Sequence, residues 1–370
     1  MRTFTIRIIL VATVGILSGC QSRQAAVTFK TYVDNLKEVQ LFVNGDTLAV
    51  PYDTVNGAVL RTELNAPAYA QLQAGSMKKL IYVEPGCDFT MRYGKPTTGA
   101  SRFQFEGKGA AENEFLDGHG QSIILLRQNM TEEEVLGIIR DSIDRHRQAL
   151  ETTPSLSAPF KALEQKRLRY QGLSRMFTYR QWTKDIIPFL QEQMTQDSTL
   201  LPTTDYRDFM SAALYFVAWF AAPEHDTYHV NKSQMDYIDT HFTQGGVADF
   251  LMESVLTNHM LLRGAEEIAP LMAVFDRKVK SASLREEIGR EYEEWSRILR
   301  GKAIPDFTFI DTTGNEIALS RFKGKYVYID CWATWCGPCR AQIPHLKKLE
   351  ERYAGKDIAF VSISSDSNRE

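Results

Sequence analysis

The spacing of apolar positions changes character twice along the chain. In residues 27–110, short β-rich pieces at 39–43, 69–72, 80–83, 89–93 and 103–105 are punctuated by Asn44-Gly45-Asp46, Asn56-Gly57, Pro85-Gly86 and Gly94. Short strands between turn signals predict a small all-β sandwich or barrel. Residues 111–300 switch to a helical period. The stretch 131–150 opens with Thr131 and Glu134, a capping-box pair, and then sets Val135, Ile138, Ile139, Ile143 and Leu150 on one face. Further helices are predicted near 158–183, 204–221, 232–243, 247–263, 266–280 and 283–299, several of them separated by Pro154, Pro188, Pro202, Pro223 and Gly245-Gly246. From 303 the order becomes strand, helix, strand: a strand-like 307–309, a turn at Thr313-Gly314-Asn315, an apolar strand at 326–331, a helix at 340–353 and a second buried strand at 358–363. The expected fold is therefore multi-domain, with an N-terminal all-β domain, a middle α-helical domain and a C-terminal α/β module.

Composition narrows the class without changing that layout. With 370 residues, 44% hydrophobic and 24% charged, the chain is an ordinary globular protein of two or three domains at ~150 residues each, not a disordered chain or a multi-span membrane protein. A formal net charge of −3 gives no bulk electrostatic case for nucleic-acid binding. The apolar run at 213–222 has ten residues and reads as a buried core helix, too short to cross a bilayer. At the N-terminus, Arg2 and Arg7 precede a mostly apolar 8–17 and then Leu17-Ser18-Gly19-Cys20, which predicts a secretory signal over residues 1–19. The Leu-Ser-Gly-Cys ending resembles a bacterial lipobox. That resemblance implies cleavage before Cys20, acylation of Cys20 and an extracytoplasmic, lipid-anchored chain in the cell envelope.

Five cysteines are too few for a disulfide scaffold, so each is read alone. Cys87 follows the Pro85-Gly86 turn and is expected to be a buried or idle thiol. Cys331 lies on the apolar strand and is expected to pack as a small apolar residue. Cys336-Gly337-Pro338-Cys339 falls where that strand gives way to a helix. Cys336 would then meet unpaired backbone N–H groups and the positive end of the helix dipole, which favour a thiolate. Cys339 comes one turn later on the same face, so the two sulfurs can meet. Pro338 suits a first helical turn, where its missing N–H has no partner anyway. Zinc is the competing use of such a pair. Cys331, Cys336, Cys339 and His345 are the only ligand set nearby and no second Cys pair exists, so a redox dithiol is expected, with no metal and no cofactor. His225 and His229 also stand four apart, a spacing that could hold a metal on one helical face, but Pro223 and the lack of an acidic ligand pattern argue for surface or loop histidines.

Residues 303–366 resemble a thioredoxin-fold module of the TlpA/ResA type of extracytoplasmic thiol-disulfide oxidoreductase. The likeness is carried by Pro305-Asp306-Phe307, Gly324-Lys325, Trp332-Ala333-Thr334-Trp335-Cys336-Gly337-Pro338-Cys339 and Pro344. It implies that Cys336 attacks, that Cys339 resolves, and that Trp335, Gly337 and Pro338 flank the substrate groove. Asp330 occupies the place where thioredoxins keep a buried acid that exchanges a proton with the resolving thiol; a strand-end aspartate held by backbone donors is the alternative. The Gly-Pro dipeptide is that of thioredoxin, at ~−270 mV against ~−120 mV for DsbA, which leans towards a reductase. Protein disulfides are the implied substrates, and a membrane protein of the DsbD or CcdA type the implied electron donor. The preceding segment, through Tyr82-Val83-Glu84-Pro85-Gly86, resembles a domain of unknown function that often precedes thioredoxin-like modules in secreted lipoproteins.

Members of the family add a cis-proline, two more strands and a final helix, so 303–370 is expected to be a truncated thioredoxin-like domain, after a β domain at 27–110 and a helical domain at 111–300. Two other functions remain open at this point. One is a peroxiredoxin-like peroxidase, which shares the Pro305-Asp306-Phe307 entry. The other is a non-catalytic binding lipoprotein with a vestigial redox module.

Overall fold

The computed structural model describes residues 23–31, 36–94, 102–119, 126–127, 129–179 and 181–366. The signal segment and Cys20 lie outside the described residues. Chain contacts divide into two units, Met1–Glu291 and Tyr292–Glu370.

Among the described residues of the first unit, eight strands come first: β1 Gln24–Thr31, β2 Glu38–Val43, β3 Asp46–Pro51, β4 Ala58–Glu63, β5 Ala68–Ala74, β6 Met77–Val83, β7 Asp88–Tyr93 and β8 Phe103–Lys108. They form two four-stranded sheets in the orders β4-β1-β7-β8 and β3-β2-β5-β6. Val27, Phe29, Leu41, Leu60, Leu72, Ile81, Phe89 and Met91 make one shared core, which is the arrangement of a sandwich. All five strands the pattern singled out are present. β1, β3 and β4 were missed because alanine and polar residues dilute their alternation. Leu80, Ile81, Tyr82 and Val83 read as an unbroken apolar run for a physical reason: Ile81, Tyr82 and Val83 are all buried, so β6 is covered on both faces.

Among the described residues nine α-helices follow: α1 Ala110–His119, α2 Glu132–Thr152, α3 Ala158–Arg175, α4 Ile187–Gln193, α5 Thr204–Ala221, α6 Thr227–His241, α7 Val247–Arg263, α8 Ala269–Lys278 and α9 Ala282–Ser296. The capping box at Thr131 and Glu134 is formed, and Val135, Ile139 and Leu150 are buried. α3 stops at Arg175, short of the expected 183. A 3-10 turn takes over, and the Met176 carbonyl accepts both the Tyr179 amide at 3.0 Å and the Trp182 indole N–H at 2.9 Å, which fixes the chain in this tighter turn. α6 begins at Thr227, earlier than its apolar pattern suggested, because Asp226 caps it by accepting the His229 amide at 2.9 Å.

Sheets and helices share this first compact unit. The Tyr82 ring meets Phe160 of α3 edge-on at 4.8 Å, and Phe160 meets Phe115 of α1 at 5.9 Å. Asn113 of α1 imitates a neighbouring strand: its Oδ1 accepts the Tyr82 amide at 2.8 Å, and its Nδ2 donates to the Tyr82 carbonyl at 3.0 Å. That satisfies the open edge of β6, which would otherwise be buried without partners. Beside it, Arg167 and Glu164 form a buried pair with two hydrogen bonds, at 2.7 and 2.8 Å. Asp205 takes a third guanidinium N–H at 2.8 Å, and the Tyr69 hydroxyl of β5 donates to Glu164. Burial alone would push the Arg167 guanidinium down; the charge and hydrogen bonds of Glu164 outweigh it and hold the group above its ordinary value.

The second unit contains a short hairpin, β9 Thr308–Ile310 with β10 Glu316–Ala318, then β11 Tyr326–Trp332, α10 Gly337–Arg352 and β12 Ile358–Ser364. β11 and β12 pair in parallel from Tyr326 opposite Ile358 to Trp332 opposite Ser364. Asp306 accepts the Ser320 amide at 2.9 Å, which ties the chain entering β9 to the turn after β10 and accounts for the acid in Pro305-Asp306-Phe307. Asp311 gathers the hairpin turn; the Thr313 hydroxyl first, with the amides of Asn315 and Thr313, holds its carboxyl at about 2. Among the described residues of this unit, Ile317, Ala333 and Val361 are the buried apolar side chains. Among the described residues, no helix is long and apolar enough to cross a membrane.

Candidate active site

β11 ends at Trp332 and the chain turns through Ala333-Thr334-Trp335 into α10. The Cys336 amide donates to the Ala333 carbonyl at 3.1 Å and closes this turn. Cys336 is the N-cap of α10 in an extended conformation, and its carbonyl accepts the Arg340 amide at 3.1 Å. Its sulfur stands where a capping oxygen would, receiving the Cys339 amide at 3.2 Å. Cys336 and Cys339 are joined by a disulfide, with Cα atoms 5.3 Å apart. A sulfur in that position, once reduced, keeps a backbone donor and the positive helix end, the two influences that favour its anion.

The neighbouring residues leave this sulfur pair open to approach. Trp335 is 80% exposed. A side chain built at Gly337 would touch nothing within 4 Å, so no internal packing demands glycine there. Pro338 sits in the first turn, where no amide is required. Pro344 lies inside α10 and supplies no amide to the Arg340 carbonyl one turn back.

Cys336, Gly337, Pro338 and Cys339 thus occupy one helical turn with Trp335 beside it. Asp330 belongs to the middle of β11, half-buried, and accepts the Ser362 hydroxyl of β12 at 3.3 Å. Cys331 is exposed rather than packed, since this unit has little interior to receive it. Cys87 is buried, and burial pushes its thiol up. His225 and His229 do not share a helical face: His225 precedes α6 and stacks on Trp219 at 4.4 Å. His229 instead approaches Glu224 and Asp226, acids that the sequence pattern overlooked.

The pattern also missed Thr334 and Asp366. The Asp366 carboxylate, just beyond β12, accepts the Thr334 amide through Oδ2 at 3.0 Å and the Thr334 hydroxyl through Oδ1 at 2.9 Å. Its sequence signal was slight, an acid in a polar run after a strand.

Residues 299–370 match the Redoxin family model. The thiol-disulfide oxidoreductase ResA of Bacillus thuringiensis subsp. konkukian is 36% identical over 66 residues, 18% of this chain and 38% of the relative. The thioredoxin-like protein YneN of Bacillus subtilis is 38% identical over 80 residues, 20% of this chain and 46% of the relative. A crystal structure of the thioredoxin domain of a thiol-disulfide oxidoreductase from Bacteroides vulgatus is 35% identical, with 20% of this chain and 51% of that one covered and a TM-score of 0.19. The chain spans less than half the length of these curated relatives. Its C-terminal segment is a TlpA/ResA-like, thioredoxin-like one.

Proposed function

We propose that the chain is a thiol-disulfide oxidoreductase that reduces protein disulfides through Cys336 and Cys339. The observation that carries this reading is the Cys336 sulfur at the N-cap of α10, bonded to Cys339 and receiving its amide. In the reduced form the Cys336 thiolate attacks one sulfur of a substrate disulfide. The substrate S–S bond breaks, one substrate thiolate leaves and takes a proton, and a mixed disulfide remains. Cys339 then gives up its proton and attacks the Cys336 sulfur. The second substrate thiolate leaves, two electrons have passed to the substrate, and the Cys336–Cys339 bond remains, the form seen in the structure.

Trp335, Gly337 and Pro338 flank the substrate in this scheme, and Asp330 is the candidate proton acceptor for Cys339. Residues 303–370 carry the chemistry. The signal at 1–19 and acylation of Cys20 place the protein on the outer side of a membrane, where a DsbD- or CcdA-type protein returns two electrons to the disulfide. Insulin reduction by the full mature chain tests the core of the proposal. Cys336→Ser is expected to abolish turnover, and Cys339→Ser to trap a mixed disulfide. Equal rates for wild type and Cys336→Ser would reject it.

A further inference from the structure

Two chain exits meet beside the disulfide. The Ser365 amide donates to the Trp332 carbonyl at 2.9 Å, which continues the β11–β12 pairing past the end of both strands. One residue later, the two Asp366 carboxylate oxygens accept the Thr334 amide at 3.0 and 3.3 Å. Oδ1 also accepts the Thr334 hydroxyl at 2.9 Å, and Oδ2 the Ser364 hydroxyl at 2.6 Å. The Ser364 hydroxyl in turn accepts the Asp366 amide at 3.2 Å. One carboxylate therefore collects donors from the end of β12 and from the turn that leads into Cys336.

The placement matters because of what Thr334 precedes. Trp335 is 80% exposed, so backbone direction rather than packing decides where its ring stands. Cys336 has its own anchors: its backbone amide donates to the Ala333 carbonyl, and its sulfur receives the Cys339 amide and is bonded to the Cys339 sulfur. Releasing Thr334 would loosen Trp335 while leaving the sulfur at the helix end.

We propose that Asp366 is a positioning residue: by clamping the Thr334 amide and hydroxyl it fixes Trp335 as a flank for polypeptide substrates, and so selects protein disulfides over small ones. The idea rests on the dithiol chemistry proposed above and goes beyond it in naming what sets substrate class. Hydrogen bonds to a charged group are stronger than neutral ones but weaken with exposure, so a loss of about tenfold is the scale to expect.

The test uses the full mature chain with Asp366→Ala, Thr334→Val and Thr334→Ser. Asp366→Ala is expected to raise KM for insulin about tenfold while leaving the rate with the small disulfide 5,5′-dithiobis(2-nitrobenzoate) within about twofold of wild type. Thr334→Val, which removes only the hydroxyl, is expected to fall between the two, and Thr334→Ser to restore wild-type behaviour. Amide hydrogen exchange in the 333–336 peptide supplies a readout that needs no activity. It should accelerate about tenfold in Asp366→Ala while the β11 amides stay as protected as in wild type, which also shows that the variant is folded. Unchanged exchange at 333–336, or equal losses with insulin and the small disulfide, would overturn the clamp. If wild type and variants alike leave both disulfides intact, the oxidoreductase reading falls, and the exchange result still decides whether Asp366 holds the turn.

Discussion

The first unit and the C-terminal segment each hold a polar cluster, and they do so in opposite ways. Glu164 and Arg167 are almost completely enclosed, with side-chain exposures of 0% and 2%, and every guanidinium face has a partner. Around them lie the buried side chains of Tyr69, Tyr82 and Phe160. The sulfur pair at the head of α10 lies in a unit whose buried apolar side chains, among the described residues, are Ile317, Ala333 and Val361. Saturation and burial make the first cluster architecture, joining strand β5 to helices α3 and α5. An open approach and a helix terminus leave the second cluster accessible, as the proposed chemistry requires. Charge alone would point to the Arg167–Glu164 pair, which is enclosed and leaves no room for a substrate.

The comparison is broken most directly at Glu164. Glu164→Ala leaves the Arg167 charge buried beside Asp205 alone and removes the acceptor of the Tyr69 hydroxyl. Denaturant unfolding of the first unit is expected to lose about 3–5 kcal/mol. Cys336→Ser, measured alongside, should leave that transition where it is. A loss under about 1 kcal/mol for Glu164→Ala would mean that the cluster is replaceable and the contrast with the disulfide turn is overstated.

A second measurement compares the two units by how easily they open. With so little buried surface, the C-terminal segment should open locally at a lower free energy than the first unit. Limited proteolysis under native conditions is expected to cut between 297 and 366 about tenfold or more faster than within the helices α3 to α7. Cuts of equal rate in both would remove the distinction.

The smallest effect concerns an acid on α7. Glu253 has its carboxyl pushed up, by burial first and then by the neighbouring charges of Glu287, Glu291 and Asp249. A carboxyl raised in the folded state costs stability while ionised, above its folded pKa, and that cost vanishes as pH falls below the unfolded value of about 4.3. Glu253→Gln should therefore raise Tm by about 1–3 °C near neutral pH and by nothing below about pH 4. The same shift at both pH values would show that the substitution acts through packing instead.

Much of this molecule was legible in the order of its residues. Turn dipeptides between β-rich pieces announced the sandwich, a capping box marked the start of α2, and Cys336-Gly337-Pro338-Cys339 between an apolar strand and a helix marked the turn that carries the paired cysteines. These are local features, in which a few consecutive residues settle the backbone and the hydrogen bonds they can make. Residues far apart in the sequence were not legible in the same way. Nothing near Asn113 says that it will complete the edge of β6, and nothing near Glu164 says that it will receive Arg167 and a tyrosine from β5. Asp366 follows Thr334 by 32 residues and meets it only because β11 and β12 pair in parallel and end together. Sequence alone determined which residues could do chemistry; tertiary structure decided which polar groups met, because those meetings depend on strand register and helix packing that no local pattern encodes.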